Sequence, residues 1–171
     1  MVESQLRDGE LKKYPNRGSG NMRGEGKMRA SGKWKYKLGD KVYVNKADGH
    51  TVLNADAIEV WSGTIEGDAY DIWFGVWDTD EFPPFPPVGN IYAHGRSHFE
   101  NAHVMDKEGS LVILWVGNQP KGEDWKGEWV ILSGTGELEN LHGRGKMWGP
   151  SFDLDYSGQI HFEDAEHDDD D

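Results

Sequence analysis

Short runs that alternate apolar and polar residues recur along most of the chain and predict an all-β protein. The runs are rich in aromatic and β-branched residues and are separated by Gly, Asp and Asn, as is typical of strands joined by turns. No long window repeats apolar residues at helical spacing, and glycines interrupt each candidate helix. The predicted strands span residues 24–38, 50–65, 69–78, 90–104, 110–116, 127–140, 143–148 and 153–163.

About eight closely spaced strands favour a small closed antiparallel β-barrel, which is predicted over residues 21–163. Glycines within the strands permit the bulges and coiling with which a small sheet closes. Because glycine accepts positive φ at no steric cost, Asp48-Gly49 and Glu108-Gly109 are predicted as hairpin turns.

The two ends of the chain differ from the barrel in composition. Residues 1–20 are polar and carry no core material, so they are predicted to be a flexible N-terminal arm. Residues 164–171 are mostly acidic and are predicted to be a disordered tail. The sequence therefore predicts one domain between two polar ends.

The charge of the chain is negative and unevenly distributed. The net charge is −13, yet residues 1–47 hold 12 of the 18 basic residues and only 5 of the 31 acidic ones. The remainder would repel phosphate, so no nucleic-acid partner is expected. The absence of Cys excludes disulfides, thiolate zinc sites and cysteine nucleophiles.

The sequence predicts a cytoplasmic protein that has no membrane partner. No apolar run approaches the roughly 20 residues that cross a bilayer, and residues 1–8 lack the order of a signal peptide. Phosphate-binding loops, dinucleotide fingerprints, nucleophile elbows and helical zinc motifs are also missing.

The tryptophans are the first candidates for binding residues. Trp73 and Trp77 share a strand face with Gly75, which opens space along it. A tryptophan-lined lumen suits a flat aromatic or polyene ligand, although large aromatics also fill small barrels completely. We expect a mixture, with Trp34 and Trp125 at the surface or an interface. The predicted cavity walls are Trp61, Trp73, Trp77 and Trp115.

Polar residues follow one face of the fourth predicted strand, namely His94, Arg96, His98 and Glu100. Such a row can bind an anion or form a His–carboxylate acid/base pair. The first interpretation of the row is the solvated face of a strand. The opposite face, with Ala93, Gly95 and Ser97, is weakly apolar, which instead favours the polar row inside the barrel. Two imidazoles and a carboxylate can also ligate a metal, but the His-x-His pattern of cupins is not matched, and no metal is predicted.

The last predicted strand alternates cleanly and predicts Tyr156 inside the barrel. A buried tyrosine hydroxyl serves either as a general acid or as a structural group bonded to a backbone carbonyl. Glu137 either enters the lumen or stabilises the turn that contains it.

Four prolines make residues 81–88 an extended polyproline segment. It is either a rigid connector or a lid whose Phe82 and Phe85 cover the barrel mouth. Asp78 and Asp80 lie beside it in sequence and would sit at that mouth.

The C-terminal half resembles a known superfamily. One strand runs into Gly134-Thr-Gly-Glu-Leu138, a glycine pair follows at Gly143-x-Gly145, and residues 152–162 form the closing strand. Residues 109–116 fit the strand before them. This pattern resembles the calycin-like barrels of the allene oxide cyclase-like superfamily, which includes allene oxide cyclases and dirigent proteins, and it covers roughly residues 90–163.

The resemblance implies a barrel with an apolar cavity, often a trimer, that guides the cyclisation or isomerisation of a hydrophobic molecule without a metal or other cofactor. It supplies no catalytic residues for this chain. From the residues themselves we predict Tyr156, His98 and Glu100 as the proton-transferring groups. The predicted ligand contacts are Trp61, Trp73, Trp77, Trp115, Phe82, Phe85, His94, Arg96 and Glu137.

Three alternatives remain open at this point. The barrel is an enzyme, a non-catalytic carrier of similar ligands, or a module that binds sugar through an exposed row of tryptophans. A homo-oligomer, either a dimer or a trimer, is expected in each case.

Overall fold

Eight antiparallel strands form one closed barrel, which confirms the predicted fold class. The computed structural model describes residues 26–79 and 89–163. The strands are β1 (Met28–Ala47), β2 (His50–Gly63), β3 (Ile65–Trp77), β4 (Ile91–Val104), β5 (Lys107–Gln119), β6 (Trp125–Gly134), β7 (Leu141–Gly149) and β8 (Asp153–Phe162). Each strand pairs with its neighbours in sequence, and β8 closes the ring on β1.

Three sequence predictions fall on segments outside the described residues. They are the N-terminal arm at 1–20, the acidic tail at 164–171 and the proline-rich segment with Phe82 and Phe85. The one helical element among the described residues is a 3₁₀ turn at Gly136–Leu138. It ends the strand that was predicted to run over 127–140, because β6 stops at Gly134.

Alternate residues of each strand turn into the barrel, because strand side chains point to opposite faces. Seven of the eight tryptophans are buried and form most of the large core side chains, while Trp148 is exposed. Trp34 and Trp125 are 2% and 7% exposed, so their predicted surface location is wrong. Both occupy inward positions of their strands, β1 and β6.

Glycines make room for the indoles inside the barrel. Trp73 is paired with Gly95 across β3 and β4, and Trp129 is paired with Gly145 across β6 and β7. A Cβ atom on Gly95 would lie 2.6 Å from Cζ2 of Trp115. These glycines therefore allow large rings to lie against the barrel wall, in addition to any effect on coiling.

Of the two predicted hairpin turns, one is confirmed and one is wrong. Asp48 and Gly49 both have positive φ, 51° and 75°, between β1 and β2. Glu108 and Gly109 instead lie within β5, and the turn precedes them at Met105, whose φ is 62°. Gly109 is required for a different reason, because a Cβ there would overlap the carbonyl oxygen of Thr135.

Candidate functional site

One end of the barrel contains a pocket whose walls are largely indole rings. The five tryptophans that line it are Trp34, Trp73, Trp77, Trp115 and Trp125. Gln119 and Ser151 stand at its rim, where the Ser151 hydroxyl donates a hydrogen bond of 2.7 Å to Oε1 of Gln119. We call this end of the barrel the mouth.

The pocket is narrow because its rings pack against each other. The ring centroids of Trp34 and Trp115 are 5.4 Å apart, and those of Trp115 and Trp125 are 6.0 Å apart. The cavity volume is about 30 Å³, which is room for roughly two water molecules. Trp61 stacks behind Trp34 at 5.2 Å and belongs to the core below the pocket.

Two carboxylic acids lie at the inner part of this pocket. Glu59 on β2 is fully buried and Asp71 on β3 is 1% exposed. Each is paired with an alanine of the other strand, Glu59 with Ala69 and Asp71 with Ala57. The small alanines leave room for the two acidic side chains, and Oε2 of Glu59 accepts a hydrogen bond of 3.0 Å from Nε1 of Trp61.

Burial raises the pKa of both acids. For Glu59 the loss of hydration raises the pKa well above its ordinary value, and the neighbouring charge of Asp71 raises it further. Burial raises the pKa of Asp71 to about 7, although nearby donors, first among them the Trp115 indole, oppose the shift. The two acids titrate as a coupled pair that keeps at least one proton at neutral pH.

Several buried polar atoms around the pair make no well-aligned hydrogen bond within the described part of the chain. They are Oε1 of Glu59, Oδ1 of Asp71, Oγ of Ser97 and Nε1 of Trp34, Trp73, Trp115 and Trp125. Buried polar groups are normally satisfied by protein, water or ligand. Most of these atoms lie in or beside this pocket, although Nε1 of Trp129 elsewhere in the core is also unsatisfied, and the pocket is therefore the candidate binding site.

The third buried acid shows what a structural carboxylate looks like in this fold. Asp56 accepts a hydrogen bond of 2.9 Å from the backbone N–H of Lys41 and one of 3.2 Å from the hydroxyl of Tyr70. Lys41 lies at the bulge of β1, so Asp56 stabilises a local irregularity. Asp71 also lies near the backbone N–H groups of Arg96 and Ile72, but the strand pairing is regular at Asp71 and at Glu59.

Sequence reasoning missed the acid pair, although a signal for it exists. Glu59 is in phase with the inward residues Ala57 and Trp61, and Asp71 is in phase with Ala69 and Trp73. An acid at an inward position of an aromatic strand is a candidate functional residue.

The four polar residues of β4 lie outside the barrel. His94, Arg96, His98 and Glu100 are exposed, whereas Ala93, Gly95, Ser97 and Phe99 are buried. The predicted inward orientation of the polar row is therefore wrong, since Gly95 and Ala93 lie beneath indole rings of the lumen. The sheet separates His98 and Glu100 from any ligand in the pocket, and the description as a solvated face fits them.

Tyr156 is buried as predicted, but its hydroxyl lies below the pocket, beside Ile65 at the end of the barrel opposite the mouth. Its hydroxyl accepts a hydrogen bond of 2.9 Å from the N–H of Ile65 and donates one of 3.2 Å to the carbonyl of the same residue. Burial raises the pKa of Tyr156. These two hydrogen bonds to the backbone match the structural alternative for Tyr156.

Replacing Tyr156 by Phe is expected to lower the free energy of unfolding by about 1–3 kcal/mol, because the N–H and C=O of Ile65 lose their partner. Urea denaturation measures this change, and a Tyr92→Phe variant at the exposed outer face provides the control. A Tyr156→Phe barrel as stable as the wild type would contradict the structural role.

The remaining predicted polar residues stabilise turns. Glu137 is exposed, and its Oε2 accepts a hydrogen bond of 3.1 Å from the N–H of Glu108. Asp78 accepts a hydrogen bond of 2.7 Å from the N–H of Asn90, and this bond lowers its pKa. Asp80 lies outside the described residues.

The outer surface of the barrel bears on two further predictions, sugar binding and assembly into an oligomer. Since Trp148 is the one exposed tryptophan, the exposed row that a sugar-binding module requires is not present. Ile58, Ile72 and Phe74 are exposed on the outer face of β2 and β3. Assembly of two or three copies stays a prediction.

Neither metal-binding clusters nor membrane-spanning helices occur in the part of the chain that the structure describes. No group of three or more His, Asp or Glu side chains there is placed to hold a metal ion. No helix there has the length and apolar character that crossing a membrane requires.

Comparison with known proteins shows a likeness to solved structures. No family model matches the chain, and no curated protein matches it. The chain is similar to a crystal structure of a protein of unknown function from the DUF3224 family of Shewanella oneidensis MR-1. The TM-score is 0.60 at 17% sequence identity, and the match covers 82% of this chain and 100% of the other. The likeness shows a shared β-barrel fold and leaves the resemblance to allene oxide cyclases as an expectation.

Proposed function

We propose that this barrel binds a small, flat, largely apolar molecule in its tryptophan-lined pocket and moves a proton within it. The reaction class is a cofactor-independent isomerisation or cyclisation, which is also what the resemblance to the allene oxide cyclase-like superfamily implies. The observation that carries the proposal is the buried pair of Glu59 and Asp71 at the inner part of the pocket.

The pair has the properties of a combined acid and base. A base is most effective when its pKa lies near the working pH, and burial brings the pKa of Asp71 to about 7. The pKa of Glu59 is also raised, by burial and by the neighbouring Asp71, so the coupled pair holds a proton to donate and offers a carboxylate to accept one. Asp71 would remove a proton from carbon, and Glu59 would return one at a second position.

The walls of the pocket would contribute to the reaction by excluding water. Indole rings on most sides lower the local dielectric constant and strengthen the interaction between the acids and a developing charge. The indole N–H groups of Trp34 and Trp73 line the pocket and have no well-aligned partner in the described barrel. They are suited to stabilising an oxygen that gains negative charge.

A ring larger than two water molecules enters only if the indoles move apart. Binding should therefore change the intrinsic tryptophan fluorescence. This expectation follows from the centroid distances of about 5–6 Å between neighbouring rings.

The compound 5-nitrobenzisoxazole tests proton transfer without knowledge of the natural substrate. A carboxylate removes the proton from its ring carbon, the N–O bond breaks, and the coloured cyanophenolate forms; with the proton that the carboxylic acid then releases, it makes up the isomeric cyanophenol. We expect the wild-type protein to accelerate this isomerisation, with a rate that rises as Asp71 loses its proton near pH 7. Replacing Asp71 by Asn should lower the rate at least about tenfold.

Asp68→Asn is the matched control, because it makes the same change at an exposed position of the same strand. Its rate should equal that of the wild type. No acceleration beyond that of free acetate, or an equal rate in the Asp71→Asn variant, would overturn the catalytic assignment.

A non-catalytic carrier is the second candidate function. The specific observation in its favour is the set of unsatisfied indole N–H groups, which need a ligand but no chemistry. A carrier would bind 5-nitrobenzisoxazole, with a change in fluorescence, and leave it unconverted.

A further inference from the structure

We propose that the inner part of the pocket receives a protonated primary amine, so that the ligand is an organic ammonium compound with a flat or apolar body. This inference rests on the proposed ligand-binding function and names the chemical class of the ligand.

The inner part of the pocket presents buried hydrogen-bond acceptors. Oε1 of Glu59, Oδ1 of Asp71 and Oγ of Ser97 are buried, and the neighbouring donors, the Ser97 hydroxyl beside Glu59 and the Trp115 indole beside Asp71, do not form well-aligned hydrogen bonds with them. Asp71 and Ser97 are paired across β3 and β4, and Glu59 lies beside Asp71 on β2. A primary ammonium group has three N–H donors and no acceptor, so its requirements complement these three oxygens.

No Lys or Arg side chain of the described residues lines the pocket beside the two acids. Every Lys and Arg in the described ranges is exposed except Lys107, which is half-buried over Phe162 at the end of the barrel opposite the mouth. The ion pairs of the described residues involve side chains on the outer surface, such as Lys33 with Asp155. Two buried acids therefore share a pocket without a cation from the described residues, so ionisation of both carboxyl groups lacks a counter-charge that a ligand could supply.

The tryptophan rings that line the pocket also favour a cationic ligand. The indole face is the side-chain surface that best attracts a cation, and desolvation strengthens this attraction. Trp34, Trp73 and Trp115 line the same pocket as the acids. An anionic ligand would meet two acids and the negative faces of the rings, so the pocket selects against it.

The size of the pocket fits this assignment. An ammonium group is about as large as a water molecule, and the pocket has room for roughly two such groups. The apolar body of the ligand would extend towards the mouth, between Trp77 and Trp125.

Binding of an ammonium group is expected to release a proton from the pair. The cation stabilises the ionised carboxyls, so affinity should rise with pH until the amine itself loses its proton. Tyr36 is the other titratable side chain that lines the pocket. Burial raises its pKa, so it stays neutral and does not contribute to this dependence.

Calorimetric titration of the purified protein at pH 7.5 with benzylammonium, and with the neutral benzyl alcohol of the same shape, tests the proposal. Methylammonium and methanol form a smaller pair. We expect the ammonium member of at least one pair to bind about tenfold or more tightly than its alcohol. Titrations in two buffers of different ionisation enthalpy should show proton release.

The Asp71→Asn variant should lose this preference, and Asp68→Asn should keep it. Because Asp71→Asn changes the pocket, Glu59→Gln provides a second variant with the same expectation. Absence of a preference for ammonium in both pairs, or a preference that survives both substitutions, would overturn the proposal. Conversion of 5-nitrobenzisoxazole together with no ammonium preference would refute the ligand class and leave the proton-transfer function standing.

Discussion

The wild-type barrel is expected to lose a few kcal/mol of stability between about pH 4 and pH 8, and Asp71→Asn should abolish much of this loss. The pKa of Asp71 is raised to about 7 in the folded protein and returns to its ordinary value near 4 on unfolding. Between these values the folded state holds a proton that the unfolded state has released. Stability from this group is therefore complete below about pH 4 and is lost as the pH rises through about 7.

The size of the effect follows from the shift. Each unit of pKa difference corresponds to about 1.4 kcal/mol, and the shift of Asp71 from 3.8 to about 7 gives about 4 kcal/mol. The raised pKa of Glu59 acts in the same direction. Urea denaturation at several pH values measures the difference between the wild type and Asp71→Asn.

A comparison between variants is necessary because the net charge of −13 also disfavours the compact state at high pH. Asp68→Asn removes one exposed charge from the same strand, so it reports that general effect. Parallel stability curves for all three proteins would refute the raised pKa of Asp71.

Replacing Gly145 by Val is expected to destabilise the barrel by at least about 3 kcal/mol. A Cβ at this position would overlap the carbonyl oxygen of Ser157 and would lie 2.7 Å from the Cα of Gly158 and from Cε2 of Trp129. The first two atoms belong to the backbone of β8, so the strand itself would have to shift. Either urea denaturation or loss of soluble folded protein reports the outcome.

Gly26→Val is the matched control for this substitution. Gly26 is exposed, and a Cβ there would meet nothing within 4 Å. Its free energy of unfolding should stay within about 0.5 kcal/mol of the wild type. If Gly145→Val were equally harmless, the close approach of β7, β8 and Trp129 would be refuted.

The strands were predictable because their side chains alternate between a buried and an exposed face. The alternation in β8 placed Tyr156 inside, as the structure does. The glycine pattern at Gly143 and Gly145 also pointed to a barrel, and its physical basis is the close contact of these backbones with β8.

The orientation of β4 was not predictable from its own residues. Ala93, Gly95 and Ser97 offer little apolar surface, so the strand alone does not show which face is buried. The deciding factor is space, because Trp115 on β5 lies against Gly95. That contact depends on pairing between strands, which a pattern within one strand does not contain.

The location of the acid pair depended on register in the same way. Glu59 and Asp71 are 12 positions apart in sequence, and pairing of β2 with β3 brings them into one pocket. Composition drew attention to histidines, which carry chemistry near neutral pH without help. A carboxylic acid gains this property only through burial, which the fold supplies.

The central claim is that Glu59 and Asp71 share a proton near neutral pH inside the barrel. Carbon-13 NMR of the side-chain carboxyl groups, recorded from pH 3 to pH 9, measures this directly, with Asp71→Asn and Glu59→Gln to assign the two signals. We predict that the signal of Asp71 titrates near pH 7 and that of Glu59 titrates far above its ordinary range. Titration of both signals below about pH 5, as for exposed acids, would contradict the account.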